Sequence, residues 1–137
     1  MADYHKPLPL CATFGSVEFW EGCRQHKLLI QKCKNCKSYR HYPRPMCPHC
    51  NSTDTEWVKV NGKGTIYTWT VTAQPFHPAY VNCVPYAVVV VLLEEGIRMA
   101  SNIVDCNPED LYIGMPVEVI FENVTEKISL PKFRPVS

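Results

Sequence analysis

Two Cys-x-x-Cys pairs stand close together in the stretch KCKNCKSYRHYPRPMCPHC, residues 32–50. Two residues between the cysteines of a pair let both sulfurs reach one ion, and the ten residues between the pairs can fold back so that four thiolates meet tetrahedrally. The spacing therefore predicts a metal site in a compact ribbon. Its four ligands are Cys33, Cys36, Cys47 and Cys50.

Zinc is the ion that four thiolates in a structural site favour, and iron in a rubredoxin-like site is the alternative, because it accepts the same ligands. Four sulfurs saturate the ion, so His41 and His49 are not expected to bind it. A closed site leaves no position for water, which predicts one structural zinc per chain rather than a catalytic metal. Positive φ angles are expected at Lys37 and Asn51, which follow the second cysteine of each pair.

The composition is that of a globular protein. The chain has 137 residues, 46% of them hydrophobic and 20% charged, which suits one domain or one domain with a small appendage. The longest apolar run, residues 87–93, is too short to cross a bilayer. The N-terminal residues lack the pattern of a secretory signal, which predicts a cytoplasmic location, where clustered cysteines bind metal rather than form disulfides.

Positive charge is concentrated in the cysteine-rich part of the chain. The net charge of +1 is too balanced for a dedicated binder of polyanions. Residues 22–53, however, contain no acid and hold half of the 14 Lys and Arg residues. These cations either offset the negative charge of a loaded thiolate cage or form a patch that meets phosphate, and the sequence leaves both open.

The local patterns predict a mainly β protein in three parts. Residues 1–26 are expected to form an N-terminal arm and an amphipathic helix from Ser16 to about Gln25. Residues 27–56 are expected to form a rubredoxin-like zinc ribbon, in which the strand KLLIQKC delivers Cys33 to the metal. The remaining residues, 57–137, are expected to form a barrel.

The barrel is predicted from strand signals after Trp57. EWVKV, GTIYTWTVTA, the two halves of YAVVVVLLEEGIRMASNIV and the final PVEVIFENV give five strands. Gly96 suits a hairpin between the third and fourth strands, and NPEDL suits a brief helical turn before the last. This order predicts a five-stranded Greek-key barrel of the OB type.

No catalytic constellation is evident in the sequence. Cys11, Cys23, Cys83 and Cys106 are isolated and are expected to be small buried hydrophobes. A nucleophile at Cys83 would need a base, and His77 is near it only in sequence. No nucleophile elbow, Walker loop or dinucleotide fingerprint is present, so the chain alone is predicted to be non-catalytic.

A series of motifs resembles the acyl-CoA-associated zinc-ribbon/OB-fold family. They run from about Phe19 to Pro135: FWEGCRQHKLLIQKCKNC, YPRPMCPHCNS, GKGTIYTWTV, PYAVVVVLLEEGIRMASNIV, NPEDLYIGMPVEVIFE and LPKFRP. The resemblance implies an accessory subunit, because members of that family accompany thiolases, hydroxymethylglutaryl-CoA synthases, and hydratases or aldolases of steroid side-chain degradation. The likeness extends to the small subunits of thiolases that act on aromatic esters such as benzoylsuccinyl-CoA.

By this resemblance the chain would bind a thiolase-like large subunit, with acyl-CoA at the shared site. Basic residues are expected to pair with CoA phosphates or with the partner. The proline-rich loop of residues 74–85 is expected to close over the thioester arm. The predicted contacts are Arg40, Arg44, Phe76, His77, Tyr80 and Arg134.

The alternative function is a nucleic-acid-binding module. Tyr67 and Trp69 would stack on bases, since strand alternation places both on one face, and the basic ribbon would contact the backbone. The near-zero net charge weighs against this alternative.

Overall fold

The computed structural model describes residues 6–9 and 16–136, which form a short helix, a small sheet and a barrel. Helix α1 spans Val17–Arg24, as its amphipathic pattern predicts, and buries Phe19 and Cys23. Residues 1–5 and 10–15, which include Cys11 and most of the predicted arm, lie outside the described residues.

The first sheet belongs to the zinc ribbon and has three antiparallel strands in the order β2-β1-β3. They are β1 (Leu29–Cys33), β2 (Tyr39–Arg40) and β3 (Thr55–Lys59). Strand β1 pairs with β3 along its whole length and with β2 over two residues. The central strand therefore ends at the first cysteine of the metal site.

The second sheet has five antiparallel strands in the order β6-β5-β4-β7-β8. They are β4 (Lys63–Thr72), β5 (Tyr86–Leu93), β6 (Arg98–Asn102), β7 (Pro116–Asn123) and β8 (Ser129–Pro135). Short 3₁₀ turns at Pro78–Tyr80 and Pro108–Asp110 join them. A parallel bridge between Ile103 and Phe133 nearly closes the sheet, which confirms the OB-type barrel.

The strands of the barrel are not all those that the sequence predicts. EWVKV, expected as the first barrel strand, is β3, and its register with β1 runs from Leu29 opposite Lys59 to Cys33 opposite Thr55. Strand β8 takes the fifth place in the barrel, although no strand is predicted there. Strand β3 also crosses the predicted boundary between the ribbon (27–56) and the barrel (57–137). The division of the chain at this point stays a prediction.

Prolines explain why β8 is hard to recognise. Pro131 and Pro135 lie in a strand at the end of the sheet order, where a missing N–H costs little. Between them, Phe133 is 0% exposed and Val104 donates its backbone N–H to the Phe133 carbonyl at 2.8 Å. Burial of this ring anchors the closing edge of the barrel.

One apolar core spans the helix, the ribbon and the barrel. Helix and ribbon contribute Phe19, Cys23, Leu28 and Ile30, and the barrel contributes Ile66, Val89, Val91, Leu93, Val117 and Phe133. Strand β5 alternates buried and less buried residues, as its place in the barrel wall requires. The two sheets therefore do not have separate interiors.

A junction of three residues, 60–62, connects the sheets. Val60 donates its N–H to the Leu28 carbonyl at 3.0 Å, and the Gly62 carbonyl accepts from Val119 at 2.8 Å. Gly62 has φ +74°, and an added Cβ would collide with the Val119 side chain. The junction is thus bonded to the ribbon at one end and to the barrel at the other.

Helix α1 has eight residues. Nowhere in the described part of the chain is there a helix with the length and apolarity that a membrane crossing requires.

Candidate metal centre

Two similar turns present the cysteines. Lys37 donates its N–H to the Cys33 carbonyl at 3.0 Å, and Asn51 donates to the Cys47 carbonyl at 2.9 Å. Lys37 has φ +64° and Asn51 has φ +65°, so both predicted positive angles are confirmed. These turns point both sulfurs of each pair toward one centre.

The four sulfurs converge. The Sγ atoms of Cys33, Cys36, Cys47 and Cys50 all lie within 4.8 Å of one another. The Cys33–Cys50 and Cys36–Cys47 sulfurs are 3.5 Å and 3.6 Å apart. A tetrahedron with Zn–S bonds of about 2.3 Å has edges of about 3.8 Å, so the cage fits one structural zinc.

Local hydrogen bonds favour the thiolate form that a metal needs. The Cys36 backbone N–H lies 3.4 Å from the Cys33 sulfur and lowers the pKa of that thiol. Burial raises the pKa of Cys47, but the N–H groups of Cys50 and His49 and the Ser38 hydroxyl outweigh it and bring the pKa to about 5. Asn35 lowers the pKa of Cys50, but burial and the Cys33 and Cys36 thiols outweigh it and raise that pKa. The thiolate form that binds a cation is therefore favoured at Cys33 and Cys47.

Ser38 is a site residue that the cysteine spacing does not reveal. Its Oγ lies 3.0 Å from the Cys36 sulfur and 3.7 Å from the Cys47 sulfur. A hydroxyl beside two ligands orients them and disperses their charge, as outer partners of metal sites do. In the sequence, the role of Ser38 is indicated only by its position between the first cysteine pair and β2.

His41 packs beside the ribbon instead of joining the cage. Its ring lies 5.3 Å from the Phe19 ring and 4.3 Å from the Tyr42 ring, measured between centroids. Burial lowers the pKa of His41 from 6.5 to about 4. The imidazole is therefore neutral in the folded protein at physiological pH.

The low pKa of His41 predicts a dependence of stability on pH. Between pH 6.5 and 4 the unfolded chain binds a proton that the folded chain does not, so the free energy of unfolding falls as the pH falls. At pH 5 the loss from this residue is about 2 kcal/mol. Denaturant unfolding at pH 7 and pH 5 should show this loss in the wild type and not in His41→Phe. His49→Gln, at an exposed position, should retain it; equal pH slopes in the wild type and H41F would contradict the assignment.

The two predicted ribbon cations differ in exposure. Arg40 is 7% exposed, and its Nη2 donates to the Arg44 carbonyl at 3.0 Å and to Thr55 Oγ1 at 2.6 Å. Arg44 is exposed, while its backbone N–H donates to Gln31 Oε1 at 2.8 Å. Burial favours a packing role for Arg40, whereas a phosphate contact by Arg44 stays a prediction.

The loop of residues 74–85 is exposed but internally braced. His77 Nδ1 accepts the Ala79 N–H at 3.0 Å, which caps the 3₁₀ turn. The Tyr80 ring lies 6.3 Å from His77 and 5.7 Å from Tyr86. Phe76 extends outward and is 81% exposed. His77 and Tyr80 are therefore neighbours in space, Phe76 is exposed beside them in the chain, and the binding role of all three stays a prediction.

Arg134 is on β8 of the barrel sheet, whereas Arg40 ends β2 of the ribbon sheet and Arg44 lies in the segment after β2. Its Nε donates to Glu118 Oε1 at 3.1 Å across β7 and β8. Both side chains are partly exposed, so this ion pair contributes little to stability. The Arg134–Glu118 ion pair does not test the predicted contact of Arg134 with a partner or a phosphate, which stays a prediction.

A cleft of about 440 Å³ lies between α1, the ribbon and the barrel. Residues 41–43 form one wall, and strands β6 and β8 form the other. Its apolar lining includes Phe19, Trp20, Tyr42, Met99, Leu130 and Pro131. This cleft is not evident from the sequence, because four separated segments build it.

A β-bulge separates the two aromatics that the nucleic-acid alternative requires. Ile66 pairs with Val91 and Thr68 with Val90, so Tyr67 is the extra residue in β4. Trp69 pairs with the fully buried Val89 and packs against the core, while Tyr67 is 47% exposed. The prediction that both aromatics share one face is wrong.

Two family models match the chain. A model described as "ChsH2, rubredoxin-like zinc ribbon domain" matches residues 20–56. A second, described as "ChsH2, C-terminal OB-fold domain", matches residues 57–122. Their descriptions agree with the cysteine cage and the five-stranded barrel.

Curated relatives extend the comparison. A "DUF35 domain-containing scaffold protein" of Methanocaldococcus jannaschii is 39% identical over 115 residues, which cover 80% of this chain and 79% of that protein. A "Probable enoyl-CoA hydratase alpha subunit" of Thermomonospora curvata is 42% identical over 118 residues, 85% of this chain. The chain spans only 36% of that longer relative.

A solved structure described as "Ltp2-ChsH2(DUF35) aldolase" has a similar fold. The match has a TM-score of 0.83 and 38% sequence identity, and it covers 95% of this chain and 98% of that one. The similarity therefore includes the relation of ribbon to barrel as well as each part. This chain belongs to the ChsH2 (DUF35) family, whose members combine a rubredoxin-like zinc ribbon with an OB-fold domain.

Proposed function

We propose that this chain is a non-catalytic accessory subunit of an acyl-CoA enzyme. In this role it binds a larger, thiolase-like catalytic subunit and helps to form the CoA-ester site, with an aromatic ester such as benzoylsuccinyl-CoA as one possible substrate. Relatives named as a hydratase alpha subunit and as a scaffold protein support the accessory role. The observation that carries the proposal is the apolar surface of the 74–85 loop.

This loop has the features of a protein contact. Phe76 is 81% exposed, Val81 is 56% exposed and Val71, on the strand before the loop, is 44% exposed. Tyr80 and the 3₁₀ turn brace the backbone, so little conformational entropy would be lost on binding. Rigid, exposed aromatics are typical anchors of protein interfaces. A partner with an apolar surface would remove Phe76 from water.

The chemistry of the chain supports a helper rather than a catalyst. Four thiolates occupy every position of the metal, so zinc would have no site for substrate or water. Burial and the Asp110 carboxylate raise the pKa of the Cys106 thiol, which disfavours a nucleophile there. His77 Nδ1 already accepts a hydrogen bond from its own loop. The reacting groups are therefore assigned to the partner.

The exposed Arg44 side chain and the apolar cleft each suit one part of a CoA ester. Arg44 offers an exposed guanidinium to an anionic phosphate. The cleft of about 440 Å³ is within the size range of small-molecule sites, and its apolar lining suits the uncharged arm of the ester. The cleft is also lined by His41, whose imidazole is neutral, and by Lys132, which is paired with Glu122, and this agrees with an accessory contribution to a shared site.

Native mass spectrometry of the chain purified from its own source tests the accessory role. We expect a complex with a thiolase-sized protein and one zinc per small chain. Phe76→Ala should reduce recovery of the complex, and Ile113→Ala, which removes an exposed side chain from a different turn, should not. A lone zinc-bearing monomer, or a monomer that carries nucleic acid, would contradict the proposal.

Affinity of the complex for a CoA ester tests the phosphate contact. Arg44→Ala should weaken binding about 10-fold or more, because a charge-assisted hydrogen bond contributes about 1.5–3 kcal/mol. Lys127→Ala, which removes an exposed charge from the turn before β8, is the matched control. Isothermal titration with zinc content measured in parallel separates lost contact from lost fold. Unchanged affinity in R44A would exclude the phosphate role but leave the accessory role standing.

A further inference from the structure

Arg40 is a buried cation with unsatisfied donors. Its residue is 7% exposed, and its Nε and Nη1 atoms are buried without a hydrogen-bond partner. The ion pairs recorded for residues 6–9 and 16–136 join Arg24, Lys132 and Arg134 to glutamates and do not include Arg40. A buried charge is costly unless an opposite charge lies near it. The fold must therefore supply such a charge from another source.

The sheet register relates Arg40 to the thiolate cage, which is an anionic group when it holds a metal. Ser38, whose Oγ is 3.0 Å from the Cys36 sulfur, lies directly before β2 and precedes Arg40 by two residues. Arg40 is opposite Gln31, and Cys33 follows Gln31 by two residues in β1, so the side chains of Arg40 and Cys33 leave the same face of the sheet. On the other side, Arg40 Nη2 lies 2.6 Å from Thr55 Oγ1, and Thr55 is opposite Cys33 in the sheet. Neighbours of two ligands thus flank the guanidinium.

The charges are complementary. Four thiolates around one divalent cation carry a net charge near −2. The carboxylates on either side of Thr55, Asp54 and Glu56, are not among the ion-pair partners of Arg40 in the described part of the chain. We propose that Arg40 is an outer-shell charge partner of the metal, which stabilises the loaded cage and is itself stabilised in its buried position by that cage. This assigns one ribbon cation to charge compensation and leaves the exposed Arg44 available for ligands.

The same guanidinium connects the metal to the cleft. Arg40 Nη2 donates a hydrogen bond to the Arg44 carbonyl at 3.0 Å, and Gln31 Oε1 accepts one from the Arg44 backbone N–H at 2.8 Å. These bonds fix the end of the segment 41–43, which forms one wall of the cleft. Retention of zinc and the shape of that wall therefore depend on one buried side chain.

Zinc release to an excess of chelator tests the proposal in the full chain. Arg40→Met keeps the length of the side chain without its charge. Loss of an outer partner typically weakens metal binding about 10–100-fold, and because the loss is expected in dissociation, R40M should release zinc faster by a similar factor. Arg40→Lys keeps the charge and should release zinc more slowly than R40M. Arg44→Met, which leaves its backbone bonds in place, should release zinc at the wild-type rate. A folded R40M that releases zinc at the wild-type rate would overturn the proposal.

Cobalt substitution separates charge from packing. The sulfur-to-cobalt charge-transfer band shifts with the energy of the sulfur lone pairs, which a nearby positive charge lowers. R40M should therefore absorb at longer wavelength than the wild type, with the pattern of a tetrahedral site retained. A wild-type band in folded R40M overturns the proposal. If R40M does not fold, R40K decides: a band at the wild-type wavelength supports the charge role, and a shifted band contradicts it.

Discussion

Replacement of Cys47 by serine is expected to abolish stable zinc binding and to unfold the ribbon. Cys47 is 0% exposed, and its sulfur lies 3.6 Å from that of Cys36. A serine hydroxyl stays protonated at neutral pH and cannot replace an anionic ligand. Structural zinc contributes about 10–16 kcal/mol in zinc-finger peptides at pH 7, which is as large as the whole stability of an ordinary domain. The small sheet cannot retain its fold without that contribution.

Elemental analysis and hydrogen exchange measure the two parts of this result. Zinc content of C47S should fall from one equivalent to near zero, and strands β1–β3 should lose protection against exchange. Cys83→Ser, outside the cage, is the matched control and should retain both. The wild type should be colourless, because the iron-loaded form of such a site is red. One equivalent of zinc and protected strands in C47S would show that the cage is not the centre of the ribbon.

Phe133→Ala is expected to reduce the free energy of unfolding by about 3–5 kcal/mol, the usual cost of removing a buried aromatic ring. Phe133 is 0% exposed and lies where β8 meets the end of β6. The cavity left by the ring would lie at the closing seam of the barrel. Denaturant titration of the zinc-loaded protein measures the change.

Phe76→Ala is the matched control, since the same substitution removes a ring that is 81% exposed. Its stability should stay within about 0.5 kcal/mol of the wild type. Equal losses in F133A and F76A would contradict the closure of the barrel at Phe133. A loss confined to F133A would also show that F76A, used above to test complex formation, is a folded protein.

The metal centre was predictable because its determinants are local. The Cys-x-x-Cys spacing identifies all four ligands, and the place after each second cysteine identifies the positive φ of Lys37 and Asn51. Such turns depend on three or four consecutive residues, so the sequence contains them directly. The hairpin at Gly96, with φ +89°, was predictable for the same reason.

The membership of the sheets was not predictable, because it depends on distant partners. Strand β3 has the pattern of any half-buried strand, and only its register with β1 assigns it to the ribbon. Strand β8 contains Pro131 and Pro135, which argue against a strand unless its place at the sheet edge is known. One extra residue at Tyr67 changes which aromatics share a face of β4.

The least visible feature was the environment of Arg40. A basic residue in a basic segment is ordinarily exposed. The sequence left charge compensation and phosphate contact open for this segment, and the family resemblance implied a contact for both Arg40 and Arg44. Tertiary packing buries one of them and exposes the other. The apolar cleft was hidden in the same way, since Trp20, Met99 and Pro131 are far apart in the chain.

The three-residue junction also determines how the protein would respond to a load. Its carbonyl and N–H groups are bonded into both sheets, and His26 Nε2 adds a second bridge to Asn123 Oδ1 at 2.7 Å. A rotation of the ribbon is therefore expected to carry the barrel with it, because these hydrogen bonds and the common apolar core join the two. A partner bound at the ribbon would in this way also set the orientation of the 74–85 loop, which follows a strand of the barrel.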